Sequence, residues 1–431
     1  MRLTPSTPSR RRSALTGGVL FAALVVALMS TPASAAPTAS RVIPIDRAPA
    51  VSAQHAAPQR ARQTPTPAGA CQTEHRHGTR ACVRPTAAPA AGDTTATPAT
   101  AATWCDAYDA GAWWEYRFEA CIHNERFTYT LVDLKTGKVL GEATFEFSAE
   151  DEFSNTALSW AENASLTMVS GTGDVAGLAI QLTASCTGCT VVSGLTWGGP
   201  VVTGRTLTGS VGYRASVAAG SSTTADTSYI ITATQPDTVP VQTGQLWGPP
   251  GIRCDAIVGT SKGCVISDYV PELDIPMSDP KVGQAAAGIA WAQQDLPDRW
   301  GTVDNPLHRL ADPAAQEANR KKICGTFTRS TTYNPNDSCD EYAFAASRES
   351  GGQLGIPGSS CAEIYPFYDD GVESGNDPGW YVQVITSDGT ERCSRAHVEQ
   401  EINVAVGRRL SGFTAQQRLL DKDAYYLYAT A

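Results

Sequence analysis

The segment CDEYAFAASRESGG, residues 339–352, concentrates acidic side chains that could do chemistry. Asp340 and Glu341 are adjacent, and Ser350 separates Glu349 from a pair of glycines. Adjacent carboxylates repel each other, so this pattern fits either a solvated turn or a site that holds something positive. The acids therefore pose the question of which cation they face.

An amide-bearing helix downstream suits the same cation. The segment EQEINVAVGRRLSGF predicts a helix that carries Asn403 beside its apolar face, and carboxylates grouped near an amide oxygen suit Mg²⁺ or Mn²⁺. Such an ion would neutralise charge on a phosphate and help to form hydroxide. Asp340 would act as general base if neighbours such as Tyr342 raise its pKa. The apolar face of this helix comprises Ile402, Val406, Leu410 and Phe413.

Basic side chains occur in two clusters that could contact an anionic substrate. Arg320 and Lys321 lie in the predicted helix DPAAQEANRKKIC, and Arg408 and Arg409 follow Asn403 in the other. The chain has a formal net charge of −10, so strong electrostatic binding of nucleic acid is not expected. Two solvated helix faces explain the same clusters, and this alternative stays open.

Two other catalytic patterns do not occur in residues 251–431. The segment contains no HExxH or P-loop motif. His308 has no identifiable partner, and His397 is interpreted as a surface or capping residue at the start of a helix. Carboxylates, one amide and the basic clusters are therefore the candidate groups.

The sequence patterns that position these groups differ between the two halves of the chain. In the second half, residues 282–294 predict a buried helix, and Asp312 and Pro313 predict the N-cap and first turn of another helix. Residues 379–386 and 424–430 predict strands. The C-terminal half, residues 250–431, is therefore predicted to be α+β.

Residues 104–249 show the period-two alternation of strands instead. Runs such as RFTYTLVDL and KVLGEATFEFS flank the turn sequence KTGK, which predicts a hairpin. Regular short strands indicate an all-β sandwich of unknown role. Its tryptophans fit core packing, and a sugar-binding platform is the alternative: Trp104, Trp113, Trp114, Trp160, Trp197 and Trp247.

The N-terminus predicts export from the cell. Basic residues 10–12, an apolar run and the small residues 33–35 indicate a signal peptide over 1–35, and residues 36–103 have the Ala/Pro/Thr-rich composition of a disordered linker. No later segment has the length of a membrane span.

The twelve cysteines fit disulfides in a secreted protein, and the nearest pairs are Cys71–Cys82, Cys254–Cys264 and Cys324–Cys339. The CTGC motif at 186–189 also fits a disulfide.

The acidic segment resembles the signature of the secreted NucA/NucB deoxyribonuclease family. Further similarity lies in ANRKKICG, in GCVISDYVP and in the spacing of Asn403, Gly407, Arg418 and Asp421, and it covers about residues 250–431. Ala343 replaces the family's usual proline, and Ser350 interrupts its Glu-Gly-Gly step.

The resemblance implies a disulfide-braced nuclease domain with a core similar to the ββα-metal nucleases. Asp340 would be the general base, Glu341 the second acid, and Asn403 and Glu349 the metal ligands. The expected protein is thus a secreted endonuclease of two domains that requires Mg²⁺ or Mn²⁺ and cuts DNA, with RNA as a further candidate substrate. A secreted nuclease toxin with a cognate protein inhibitor and a non-enzymatic, glycan-binding surface protein are the alternatives.

Overall fold

Antiparallel β-sheet makes up most of the described part of the protein, together with three α-helices. The computed structural model describes residues 41–45, 57–62, 69–71, 78–88, 104–236 and 239–430. The predicted signal peptide lies outside these residues. None of the helices described is long and apolar enough to cross a membrane.

The secondary structure begins with strands and reaches its first α-helix after residue 280. The helices are α1 (Gly283–Asp295), α2 (Pro313–Cys324) and α3 (Gln400–Gln416). The strands are β1 (Arg41–Pro44), β2 (Gln59–Arg60), β3 (Ala70–Cys71), β4 (Thr79–Pro85), β5 (Trp113–Glu115), β6 (Glu119–Asp133), β7 (Val139–Glu152), β8 (Ser159–Gly173), β9 (Ala179–Thr187), β10 (Cys189–Ser193), β11 (Thr196–Pro200), β12 (Thr206–Ala215), β13 (Ser222–Thr234), β14 (Val241–Trp247), β15 (Ile252–Asp255), β16 (Gly263–Ile266), β17 (Glu272–Asp274), β18 (Leu307–His308), β19 (Asp337–Tyr342), β20 (Ala362–Asp369), β21 (Gly379–Thr386), β22 (Ser394–Glu399) and β23 (Ala424–Tyr428).

Two sheets share one apolar core in the N-terminal half, which is the arrangement of a β-sandwich. One sheet has the order β10-β12-β8-β7-β6-β4-β3, with β5 beside β6 and β2 beside β5; the other has the order β11-β9-β13-β15-β16, with β14 beside β13. Phe145 and Leu166 of the first sheet and Ile180 and Tyr229 of the second are buried in the same cluster. The period-two alternation produces this core because every second side chain points inward.

The segment expected to be a disordered linker contributes strands to both halves. Strands β2, β3 and β4 join the nine-stranded sheet, and β1 pairs with β21 in the C-terminal half. Ala81 and Val83 of β4 are buried in the sandwich core, while Ile45 lies in the core of the C-terminal half. These few apolar residues fix short strands within a composition that is otherwise typical of a linker.

The C-terminal half is built on a five-stranded sheet with the order β1-β21-β20-β22-β19. Helices α1 and α3 share its core: Ile289 and Trp291 of α1 and Val406 of α3 are buried with Ile364 and Val398 of the sheet. Strand β19 is therefore an edge strand with a helix-covered face. A small sheet, β17-β23-β18, lies outside this sheet.

The local signals for the helices are confirmed. The side chain of Asp312 accepts a hydrogen bond from the backbone of Ala314, with Pro313 at the first position of α2. The expected apolar face of α3 is also present, because Val406 and Phe413 are buried and Ile402 and Leu410 pack against the same core. Within α2, Glu317 pairs with Arg320 at 3.0 Å.

Six disulfides brace the fold, and the described part contains no free cysteine. The three pairs expected from proximity are bonded, and so is the CTGC motif. The remaining bonds are Cys105–Cys121 and Cys361–Cys393. Such a set indicates an oxidising compartment.

Buried arginines join the sandwich to the C-terminal half. Arg418, in the turn after α3, is 1% exposed and forms a two-pronged ion pair with Asp255 of β15, at 2.9 and 2.6 Å. Arg117 of the sandwich donates to the backbone carbonyl of Gln417, and Arg253 of β15 pairs with Asp423. The end of α3 is therefore held directly by the sandwich.

Two carboxyl groups face each other inside the sandwich. Asp151 of β7 lies opposite Glu162 of β8, and the two residues are 3% and 1% exposed. Burial raises the pKa of Glu162 to about 7, and burial and then Glu162 raise the pKa of Asp151 well above its ordinary value. Tyr229 donates a hydrogen bond to Glu162. The pair therefore binds protons that an unfolded chain would release.

Because of this pair, we expect the free energy of unfolding to fall as the pH rises. Unfolded carboxyl groups titrate near pH 4, so between pH 4.5 and 7 the folded state holds extra protons and unfolding releases them. For Glu162 alone, the free energy of unfolding should fall by about 3 kcal/mol across this range. Asp151→Asn should flatten the decline in urea-unfolding series, whereas Glu152→Gln, an exposed neighbour, should not. A wild-type stability that does not fall between pH 5 and 8 would contradict the assignment.

Candidate active site

Strand β19 separates the two adjacent acids onto opposite faces of the sheet. Successive side chains of a strand point to opposite sides, so Asp340 and Glu341 do not share a face. Asp340 lies opposite Ala396 of β22, which packs in the helix-covered core, whereas Glu341 lies opposite Arg395. The two carboxylates, which are adjacent in sequence, therefore lie in two different environments.

Asp340 lies on the face that α3 covers, and Asn403 of α3 contacts the two residues before it. The Asn403 amide donates to the hydroxyl of Ser338 at 3.2 Å and to the carbonyl of Cys339 at 2.9 Å. Both acceptors precede Asp340 in the same strand. These two bonds fix the amide and leave its oxygen, Oδ1, for another partner.

Burial, and secondly Glu341, raise the pKa of Asp340 to about 8. No hydrogen bond to the Asp340 carboxylate is found among the described residues, so none of them offsets the cost of removing this charge from water in that way. A nearby cation would offset that cost. The Asn403 oxygen is a hard ligand that fits a divalent ion with several waters of its own, and the Asp340 carboxyl lies at the same face.

Glu341 faces α2 instead. Its side chain is 10% exposed, and its carboxylate lies 3.6 Å from Nε of Arg320 and 3.5 Å from Sγ of Cys324. Burial raises the pKa of Glu341, and Arg320 opposes this effect. Among the described residues, Glu341 with Cys324 and Cys339 is the only close group of three metal-ligating residue types, but both sulfurs are committed to a disulfide.

Glu349, expected to be a metal ligand, is occupied by His308. One of its carboxylate oxygens accepts from the backbone N–H of His308 at 2.8 Å, and the other lies 2.8 Å from that residue's Nδ1. Glu349 is 8% exposed and belongs to no close group of metal-ligating residues in the described part. Both carboxylate oxygens of Glu349 therefore contact His308, and this interaction gives that histidine the partner that the sequence did not reveal.

The four basic residues expected to contact substrate lie at the surface of two helices. Arg320 is 54% exposed, and Lys321 is exposed beside it on α2. On α3, Arg408 is exposed, while Arg409 lies 3.4 Å from Asp279. Arg320 is paired with Glu317 and Glu341 and Arg409 with Asp279, whereas Lys321 and Arg408 form no ion pair among the described residues.

His397 is a buried residue of β22, not a surface residue at a helix start. It is 1% exposed; its Nδ1 lies 2.6 Å from Asp337 and its Nε2 lies 3.3 Å from Glu363. Glu363 also pairs with Arg395 at 2.6 Å. The alternation in SRAHVE, with Ala396 and Val398 turned to the core, is the strand signal that would have placed this histidine.

Comparison of the chain with protein-family models, with curated proteins and with solved structures finds no match.

Proposed function

We propose that the protein is a secreted, metal-dependent endonuclease that hydrolyses the phosphodiester bonds of DNA, and of RNA as a second candidate substrate, with little sequence preference. The observation that carries this proposal is that a partly buried carboxyl with a raised pKa, Asp340, and an oriented amide, Asn403, lie at one face of an edge strand. The resemblance of residues 339–352 to the NucA/NucB signature supports the choice of substrate. The six disulfides support an extracellular site of action.

In this mechanism Asp340 accepts the proton of the attacking water. The water oxygen bonds to phosphorus, the bond from phosphorus to the leaving oxygen breaks, and that oxygen takes a proton from solvent. A carboxyl with a pKa near the working pH is an efficient base, because it is ionised often enough and still binds the proton firmly. A bound Mg²⁺ or Mn²⁺ would supply charge stabilisation at the phosphate oxygens. Asn403 would hold that ion through Oδ1.

The remaining site residues position the substrate. Glu341 restrains Arg320 from the far side of β19, and Arg320, Lys321 and Arg408 present cations to the phosphate backbone. Phosphate contacts of this kind carry no sequence information. Weak, non-specific binding is therefore expected, in agreement with the net negative charge.

Removing the amide tests the role of Asn403. Asn403→Ala should raise the Mg²⁺ concentration for half-maximal plasmid nicking about ten-fold or more, because the ion loses a fixed oxygen. Asn403→Asp keeps an oxygen at this place and should recover much of the Mg²⁺ affinity. Gln400→Ala, an exposed change on the same helix, is the control. An unchanged Mg²⁺ requirement in Asn403→Ala would remove this residue from the proposed site.

A second candidate function, glycan binding, is favoured by an aromatic cluster on the sandwich. Trp104 lies 4.9 Å from Tyr116, and Tyr108 lies 4.6 Å from Trp114, measured between ring centroids; all four rings are partly exposed. Other tryptophans that the sequence offered for such a platform, Trp113 and Trp160 among them, are buried in the core. Retention on cell-wall polysaccharide, lost on replacing Trp104 and Trp114, combined with absence of nuclease activity would favour this candidate.

A further inference from the structure

The sheet of the C-terminal half carries partly exposed aromatic rings on the face opposite α1 and α3. Tyr365 and Phe367 of β20 are two residues apart and therefore share this face; their rings stack with centroids 5.4 Å apart. Tyr381 of β21 continues the series, 6.0 Å from Phe367. Val42 of β1, which lies on the same face, is 51% exposed. This face is therefore accessible to solvent.

A loop closed by a disulfide extends the series of rings. The Cys324–Cys339 bond closes the segment that follows α2. From this loop, Tyr333 lies 4.9 Å from Tyr365, and both Tyr333 and Phe327 pack against His397, at 4.2 and 4.3 Å. The rings form one aromatic row across β21, β20 and β22 to the loop: Tyr381, Phe367, Tyr365, Tyr333, His397 and Phe327. Tyr381 and His397 are buried within this row, and its other four rings are partly exposed.

The buried cluster around His397 anchors this loop. Asp337 accepts hydrogen bonds from His397 and from the backbone of Ser330, both through Oδ2, at 2.6 and 2.8 Å. Asn334 donates to the other oxygen of Asp337 at 3.4 Å. The loop is thus held at its two ends by the disulfide and at its middle by Asp337, which makes Tyr333 a fixed part of the row.

Positive charge is concentrated where the aromatic row ends. Residues 318–336, which cover the end of α2 and the loop, contain four cations and no acid, although the whole chain has a formal net charge of −10. These cations are Arg320, Lys321, Lys322 and Arg329, all exposed. Arg395 lies over the ring of Phe327, 5.8 Å from its centroid, at the same end.

We propose that the aromatic row binds single-stranded nucleic acid, with bases stacked against its four partly exposed rings and phosphates toward the cations of residues 318–336. Unpaired bases expose the faces that such stacking needs, whereas the faces of paired bases are covered inside a duplex. The proposal rests on the endonuclease function: Glu341 and Asp340 belong to the edge strand at the basic end of the row, so a bound strand that crosses this edge reaches Asp340. The row would thereby favour single-stranded regions as substrate.

Binding without cleavage provides the test. The Asp340→Asn protein would be titrated, in EDTA and at fixed salt, against fluorescein-labelled dT15 and a 15-bp duplex, with fluorescence polarisation as readout. Tyr365→Ala and Phe367→Ala should each raise the Kd for dT15 about ten-fold, because a stacked base contributes about 1–3 kcal/mol. Tyr368→Ala is the matched control, since Tyr368 is 57% exposed on the other face of the same strand.

A variant at an exposed position keeps the proposal testable if the ring variants do not fold. Arg329→Ala changes an exposed side chain, and it should weaken dT15 binding and reduce its dependence on salt. Duplex binding as tight as that of dT15, or equal Kd values for Tyr365→Ala, Phe367→Ala and Tyr368→Ala, would overturn the proposal. If the wild type cleaves nucleic acid but these ring variants bind normally, the row fails and the endonuclease stands. If dT15 binding depends on the rings while cleavage is absent, the row stands and the endonuclease fails.

Discussion

Replacement of Arg418 by alanine is expected to lower the free energy of unfolding by about 3–5 kcal/mol. The reason is that Asp255, which is 0% exposed, loses the guanidinium that neutralises it inside the protein. Arg418 also donates to the backbone carbonyls of Asn155 and Ser261, which would be left without this donor. Few single substitutions reach this size, and those that do break buried networks of this kind.

Urea unfolding of oxidised protein at constant pH would measure this loss. Arg408→Ala is the matched control, because Arg408 is exposed on the adjoining helix and its removal should change stability by less than about 0.5 kcal/mol. Arg418→Lys should recover little, since a lysine cannot reproduce the two-pronged contact. A cost below about 1 kcal/mol for Arg418→Ala would show that the ion pair does not hold the turn after α3 to the sandwich.

Asp340→Asn is expected to reduce the rate of DNA cleavage about 100- to 10,000-fold at saturating Mg²⁺. The amide has nearly the same shape as the carboxyl but cannot accept a proton from water. Because the carboxyl is partly buried with a pKa of about 8, its neutral replacement should not destabilise the fold. The loss would therefore be chemical, and an unchanged thermal unfolding curve would confirm that.

Glu341→Gln is the control for this prediction. The strand turns Glu341 away from Asp340 and toward Arg320, so its replacement should reduce cleavage less than ten-fold, mainly through weaker substrate binding. Cleavage by Asp340→Asn at more than a tenth of the wild-type rate would exclude Asp340 as the base. A loss in Glu341→Gln as large as that in Asp340→Asn would contradict the division of roles between the two acids.

Local chemistry made much of the fold predictable from the sequence. Asp312 and Pro313 identify the start of α2 because capping depends on neighbours only. The turn KTGK joins β6 to β7, and Gly137 adopts the positive φ of 70° that glycine tolerates best. Cysteine pairs that are close in sequence are bonded because short segments bring them together. In each case the deciding contact is between residues that are near one another in the chain.

Long-range pairing decided what the sequence did not reveal. Glu349 was expected at a metal, but its partner, His308, lies 41 residues away. His397 was interpreted as a capping residue, yet its carboxylate partners come from β19 and β20. The short strand β1 forms only because the edge of β21, more than 300 residues later, offers hydrogen bonds. Sequence periodicity indicates which face of a helix or strand is buried, but it does not identify the residues that pack against that face.

The placement of Asp340 and Glu341 on opposite faces of β19 depends on both local pattern and long-range pairing. Strand alternation would have predicted it, but residues 337–342 were not identified as a strand from the sequence. The segment lacks the Val- and Ile-rich composition of strands, and its pairing with β22 overrides that weak local preference. The pairing is what gives each acid its own environment.

Nicking of supercoiled plasmid by the purified, oxidised protein tests the central claim most directly. The account predicts that Mg²⁺ or Mn²⁺ converts supercoiled plasmid to the open-circular and linear forms, that EDTA abolishes this conversion, and that Asp340→Asn lacks it at every cation concentration. Failure of correctly disulfide-bonded wild-type protein to nick plasmid with any divalent ion would contradict the assignment of Asp340 and Asn403 to a phosphodiester-cleaving site.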